Sequence, residues 1–304
     1  MRIFVDDPSP VEEIYFEGRS FYLKRDDLIH SDFSGNKARK FHYYLSGDFP
    51  GVKKIVSYGS CQSNAMYSLS VLAKMKGWEF DYYVDHIPAY LKSCPQGNYR
   101  RAVENGMRIV ERVAGNRERG EEEEGVLFVE EGGRQKEAEA GVRILAEEIA
   151  MWQQEQGIEA LNIFLPSGTG TTALYLQKNL SLHSSMKQSV FTTPCVGDAI
   201  YLTKQFSMLE KEAKVYPTIL DTDKKYHFGK LYRDSYKIWL ELRQETGVEF
   251  DLLYDPKGWK VMMEHLDRFR GPILYIHQGG LIGNESMLPR YKRKYKDMSG
   301  ENIR

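Results

Sequence analysis

Leu161-Asn162-Ile163-Phe164-Leu165-Pro166-Ser167-Gly168-Thr169-Gly170-Thr171-Thr172-Ala173-Leu174-Tyr175-Leu176 decides how this chain is read. An apolar β-type run passes into a loop of small residues and then into a helical stretch, the order that an anion site requires. Glycine at 168 and 170 lets the backbone approach a phosphate, the loop N–H groups converge on it, and the N-terminus of the following helix adds a favourable dipole. The hydroxyls of Ser167, Thr169, Thr171 and Thr172 are further donors. The loop lacks the Walker lysine and does not read Gly-x-Gly-x-x-Gly. A plain glycine-bearing β-to-α turn would show the same local pattern.

Outward from this stretch, short apolar runs alternate with helical ones. Strands are predicted at Lys54 to Tyr58, Phe80 to Val84, Met107 to Val110, Val126 to Val129, Leu161 to Leu165, Val190 to Thr193, Val215 to Leu220 and Ile273 to Ile276. Between them, Met66, Leu69 and Ala73 fall on one helical face, as do Val142, Leu145, Ile149 and Trp152. That alternation is the mark of an open α/β architecture, a mostly parallel sheet flanked by helices. The run from Gly115 to Gly125, dense in Glu and Arg, reads as a solvated loop, because like charges at that density repel and cannot be buried.

The bulk properties exclude several classes. A length of 304 residues suits two packed lobes, at roughly 100 to 200 residues per domain. A net charge of -1 gives no field for nucleic acid or for an anionic membrane. No apolar run approaches the roughly 18 residues of a membrane span, and Asp6, Asp7 and Glu12 spoil a signal-peptide reading, so the expected location is the cytoplasm. Cys61, Cys94 and Cys195 are too few and too scattered for a disulfide framework or a cysteine-rich metal site. The seven histidines form no His-x-x-x-His pair with a carboxylate between them, so no metal is expected.

Five further motifs carry chemistry. In Ser34-Gly35-Asn36-Lys37-Ala38-Arg39-Lys40, a lysine sits beside small residues; a lysine that forms a Schiff base needs such surroundings and a nearby phosphate subsite. The same residues would also start an ordinary surface helix. In Ser57-Tyr58-Gly59-Ser60-Cys61-Gln62-Ser63-Asn64, Gln62 and Ser63 can hydrogen-bond a carboxylate, and Ser63 and Asn64 can equally cap the helix that follows. The C-terminal third carries Tyr226-His227-Phe228-Gly229, Asp251-Leu252-Leu253-Tyr254-Asp255-Pro256-Lys257 and His277-Gln278-Gly279-Gly280. Taken singly, one tyrosine among the 20 present is more often packing than catalysis, and His227 and His277 fit satisfied structural histidines.

Together with Glu131-Gly132-Gly133, these pieces, in this order from Lys24 to Gly280, resemble the 1-aminocyclopropane-1-carboxylate (ACC) deaminase and D-cysteine desulfhydrase family of pyridoxal 5'-phosphate (PLP) enzymes, of fold type II, like the tryptophan synthase β chain. The resemblance implies a larger domain of residues 1–40 plus 160–304, with a smaller α/β domain of residues 41–159 inserted in it and the cofactor in the cleft. It implies that Lys37 holds PLP, that Lys40 with Gly168, Thr169, Gly170, Thr171 and Thr172 binds its phosphate, and that Asn64 holds its phenolic oxygen. By position Asp255 faces the pyridine nitrogen, where a carboxylate would keep the ring protonated. Gln62, Ser63 and Tyr232 are the implied substrate contacts, with Lys37, Ser63 and Tyr254 in catalysis. Tyr254 could move a proton if its pKa, ~10 when unperturbed, is lowered by the charged cofactor. The implied substrate is a small amino acid and the implied assembly a homodimer. The implied reaction is a deaminase or lyase step, of the ACC deaminase or the D-cysteine desulfhydrase kind, releasing ammonia with or without sulfide.

This chain departs from the family at three places. Ala65 stands where the pattern Gln-Ser-Asn-His has its histidine. Asp255 leans towards ACC deaminases, whereas Gln278 stands where the two groups usually show leucine and threonine respectively. A PLP carrier without catalysis, and a nucleotide-binding α/β protein using residues 168–172, remain the rival readings.

Overall fold

The computed structural model describes residues 8–33, 35–112, 123–182 and 186–298; Ser34 and residues 115–122 of the charged run lie outside the described residues. The strands are β1 (Val11–Phe16), β2 (Arg19–Lys24), β3 (Lys54–Tyr58), β4 (Glu79–Val84), β5 (Met107–Glu111), β6 (Val126–Val129), β7 (Ala160–Ser167), β8 (Lys187–Pro194), β9 (Thr218–Ile219) and β10 (Ile273–Ile276). The α-helices are α1 (Gly35–Ser46), α2 (Asn64–Lys76), α3 (Ala89–Ser93), α4 (Gly97–Glu104), α5 (Glu139–Glu155), α6 (Thr171–Leu180), α7 (Ala199–Leu209), α8 (Arg233–Thr246), α9 (Asp255–Glu264) and α10 (Asn284–Lys294). None of them is long and apolar enough to cross a membrane.

Two sheets result. One has the order β1-β2-β10-β7-β8-β9, parallel throughout except for the β1–β2 hairpin; the other has the order β5-β4-β3-β6 and is all parallel. Parallel strands covered on both faces read as continuous apolar runs, and β7 and β10 do. Their side chains alternate. Leu161, Ile163, Leu165, Leu274 and Ile276 pack against Val142, Leu145 and Ile149 of α5 and Leu176 of α6. Phe164, Ile273 and Tyr275 face the opposite way, towards Trp239 of α8 and Trp259 of α9. Full burial of each such side chain is worth about 1.5–3 kcal/mol.

Residues 54–129 hold the smaller sheet. The face of α2 expected from sequence is its buried face: Met66 and Leu69 are fully buried and Ala73 nearly so. Helix α5, which falls within the 41–159 segment, packs on the six-stranded sheet. Helix α1 serves both sheets. Ala38, Phe41 and Tyr44 join the core of the smaller one, while its backbone meets α5 so closely that a Cβ on Gly141 would collide with the Arg39 carbonyl.

Two strand expectations change. The strand predicted over 215–220 shortens to β9, pairing only through Thr218 and Ile219 with β8. Pro217 has no N–H for a ladder, and Val215 and Tyr216 stay exposed. The hairpin β1–β2 was not expected; it turns through Glu17 and Gly18, both at positive φ (48° and 70°).

Candidate functional site

Lys37 lies in the first turn of α1, and the surface-helix alternative is excluded by how that turn is docked. Gly35 has φ of 66°, and a Cβ there would collide with the Gln278 carbonyl. Asn36 N donates to that carbonyl at 3.1 Å. The Asn36 side chain then contacts Gln278 Oε1 through Nδ2 (2.9 Å), and its Oδ1 accepts from Lys37 Nζ (3.3 Å). Burial lowers the Lys37 ammonium to about 8. An amine that sheds its proton near neutrality is what attack on a carbonyl requires.

One turn further along the same face, Lys40 Nζ donates to Gly132 O (3.0 Å) and Thr169 Oγ1 (3.3 Å). Burial, with Lys37 and Arg134 nearby, holds its ammonium well below the ordinary lysine value. Lys40 thus brings an ammonium to the loop of residues 168–172, with Lys37 and Arg134 close enough to repel it. Thr169 Oγ1 and Thr171 Oγ1 are 3.0 Å apart. Gly170, at φ of 71°, caps the helix with its α-carbon against Leu202 and Phe206. Thr172 Oγ1 is buried with no hydrogen-bond partner. An orphaned hydroxyl at a helix N-terminus beside lysines fits an anion.

From the smaller sheet, Asn64 begins α2 and Ser63 caps it, Oγ accepting from Ala65 N at 3.1 Å. Capping and a ligand role are compatible for Ser63, since an oxygen has a second lone pair. Asn64 Oδ1 accepts from Asn98 Nδ2 at 2.6 Å. Its Nδ2 is therefore the group it can offer, and that atom would lie 2.5 Å from a Cβ on Gly280. Gln62 is turned aside: Nε2 donates to Tyr90 OH at 2.7 Å.

Tyr254 lies against the anion loop, its ring atoms 3.4 Å from where a Cβ on Gly168 would sit. Burial raises its phenol above the ordinary tyrosine range, with Cys195 and Asp251 adding to the rise, so without a charged ring beside it Tyr254 is a proton donor. Asp255, the first residue of α9, is buried. Its Oδ1 accepts from Tyr275 OH (2.7 Å) and its Oδ2 from Asp251 N (3.1 Å). Burial, then repulsion from Asp251, holds its carboxyl well above the usual range. Tyr232 stands apart. Its OH accepts from His227 N at 2.9 Å, and it lines a cavity with Tyr226, Lys257 and Cys195; this cavity borders Tyr254 through Cys195, whose Sγ contacts Tyr254 O, and through the Phe228 ring, 5.1 Å from the Tyr254 ring.

His277 is a satisfied structural histidine: Nε2 contacts Glu249 O at 2.7 Å, Nδ1 accepts from Gly279 N, and the ring stacks on Phe250. Sequence reasoning missed Arg134 and Tyr275 and gave Glu131 no role. Glu131 Oε1 would lie 2.9 Å from a Cβ on Gly59, and burial raises its carboxyl. The Glu131-Gly132-Gly133 motif pointed near both Glu131 and Arg134, whereas nothing local marks Tyr275 as the partner of Asp255.

No protein-family model matches the chain, and no curated protein matches it by sequence. Solved structures match it in fold. A structure described as an ACC deaminase homologue is 20% identical over 94% of this chain and 93% of that one, with a TM-score of 0.75. O-ureido-L-serine synthase is 14% identical over 97% and 95%, with a TM-score of 0.66. A pyridoxal 5'-phosphate-dependent aspartate racemase is 13% identical over 90% of each chain, with a TM-score of 0.58. These likenesses show the fold: open, mostly parallel sheets flanked by helices, as in fold type II PLP enzymes.

Proposed function

We propose that this chain is a PLP-dependent enzyme acting on a small amino acid, a deaminase or lyase that releases ammonia with or without sulfide. The carrying observation is the pairing of Lys37, lowered to about 8, with an anion cradle one helical turn away that contains Lys40 and the orphaned Thr172 hydroxyl. When bound, PLP supplies an aldehyde for the lysine and an electron sink for chemistry at the α or β carbon.

The chain's own groups divide the remaining work. Lys40, the N–H groups of Gly168 to Thr172 and the Thr172 hydroxyl would hold the phosphate. Asn64 offers Nδ2 to the phenolic oxygen. Asp255, a carboxyl that burial leaves reluctant to ionise and that Tyr275 OH orients, would face the ring nitrogen and favour its protonated form. Ser63 would bind the substrate carboxylate. Tyr254, kept protonated, would donate to the substrate, and Lys37 would take or return a proton at the reacting carbon. The cofactor would lie between the lobe built on the six-stranded sheet, to which α5 belongs although it falls within residues 41–159, and the inserted lobe that holds the four-stranded sheet. A homodimer is part of the same reading and is carried by the resemblance alone, while a cytoplasmic location is carried by the charge and hydropathy of the sequence.

The test is the visible spectrum of the purified protein during addition of D- and L-amino acids and ACC. The expected result is a band from cofactor held on lysine that shifts with one of them, is abolished in Lys37→Ala, and maps to Lys37 after borohydride reduction. A band that answers to no amino acid favours a carrier; no band after PLP is supplied overturns the proposal.

A further inference from the structure

We propose that Gln278 is a positioning residue for Lys37, clamping Asn36 so that its Oδ1 faces the lysine amine and tying the lysine turn to the strand that leads into the anion loop. The inference rests on the Lys37 reading given above and concerns a position where the chain departs from the family it resembles.

Three contacts radiate from this one glutamine. Its carbonyl accepts from Asn36 N (3.1 Å), its Oε1 from Asn36 Nδ2 (2.9 Å), and its Nε2 donates to Pro166 O (2.6 Å) at the end of β7. Leucine could make neither side-chain contact, and threonine is too short to span both. Gly35 completes the grip, because only a residue without a Cβ lets the two backbones come so close.

The amide orientation is what matters for Lys37. With Nδ2 committed to Gln278, Asn36 must present Oδ1 to Lys37 Nζ at 3.3 Å. Two influences press Lys37 towards its neutral form: burial, and its place in the first turn of α1, where the helix dipole disfavours a cation. The Asn36 oxygen opposes them by accepting from the ammonium. Gln278 thus sets how readily the amine protonates without touching it. Released from the clamp, Asn36 is free to rotate and the ammonium loses its fixed acceptor.

The test uses cofactor-free protein, so that failure of the PLP reading is seen separately in the spectrum and leaves this measurement intact. Lys37 is acetylated with limiting acetic anhydride across pH, and its labelling is followed by peptide mass spectrometry. In Gln278→Leu the labelling midpoint should fall by about half to one pH unit, the scale of one ordinary net hydrogen bond. Asn36→Ala should lower it similarly, and the double variant should go no lower than the larger single shift. Gln278→Glu, which can still accept from Asn36 Nδ2, should show no fall. An unchanged midpoint in Gln278→Leu accompanied by a lower melting temperature would reduce Gln278 to a structural residue and overturn the proposal. If Gln278→Leu does not fold, an unchanged midpoint in Asn36→Ala overturns it equally.

Discussion

Asp255 and Thr172 are uncomfortable in the cofactor-free protein, each in a way that a ligand would relieve. The Asp255 carboxyl is buried against Asp251, and its pKa is raised. A raised acid pKa contributes stability that is fully present below the unfolded value, about 3.9, and is lost as pH rises through the folded one. Cofactor-free protein should therefore lose stability from about pH 4 upwards, and Asp255→Asn should flatten that slope while weakening PLP binding. Urea midpoints between pH 4 and 8 check this; an equal slope in the variant would remove Asp255 as its source. Thr172→Val keeps the shape and deletes an unpartnered hydroxyl. It should leave cofactor-free stability unchanged or raise it by about 1 kcal/mol while lowering PLP affinity about tenfold, since a hydroxyl with no protein partner has only the phosphate to serve. Equal PLP affinity in titrations of both proteins would take Thr172 out of the cradle. The two residues also differ in legibility. Thr172 could be read from a strand, a small-residue loop and a helix in succession. The strain on Asp255 could not, because it comes first from burial beneath elements distant in sequence, such as the one that carries Tyr275, 20 residues away.

Helix α1 presents opposite faces to opposite tasks. Lys37 and Lys40, three apart, face the cradle, while Arg39 between them points into a buried ionic group. Arg39 bonds Asp26 through Nη2 (2.8 Å) and Glu148 through Nη1 (2.6 Å), and Lys24 Nζ lies 2.7 Å from Glu148. Two cations and two carboxylates, all almost inaccessible, tie α1 to the end of β2 and to α5. Removing one member leaves an uncompensated buried charge. Arg39→Met, which retains much of the length, should cost about 3–5 kcal/mol of stability by urea unfolding. A loss under 1 kcal/mol would mean that the ionic group does not anchor the helix. At this scale the sequence was legible wherever periodicity is local: the buried faces of α2 and α5 and the runs of β3, β7 and β10. It was silent on β1, β2 and the ionic group. Their apolar pattern is interrupted by charges such as Lys24, which make sense only once Glu148, 124 residues away, is in place.

Across the whole molecule, the groups that would hold the cofactor come from both sheets, Lys37, Lys40 and residues 168–172 from one side and Ser63 and Asn64 from the other. Contact between the sides already exists without it, at Asn64 against Gly280 and at Lys40 reaching Gly132. A ligand that binds only the folded form stabilises it by about 2.7 kcal/mol at a hundred times its dissociation constant. Where that protection appears depends on which groups bind. If PLP spans the cleft, amide exchange should slow in the first turn of α1, in residues 168–173 and in residues 59–66 together, although these belong to different sheets. Inorganic phosphate alone should protect residues 168–173 and leave residues 59–66 unchanged, because Asn64 is assigned to the ring and not to the phosphate. Protection by PLP confined to residues 168–173 would mean that the chain grips only a phosphate. The smaller sheet would then have no part in holding the cofactor, and the nucleotide-binding alternative would regain its place.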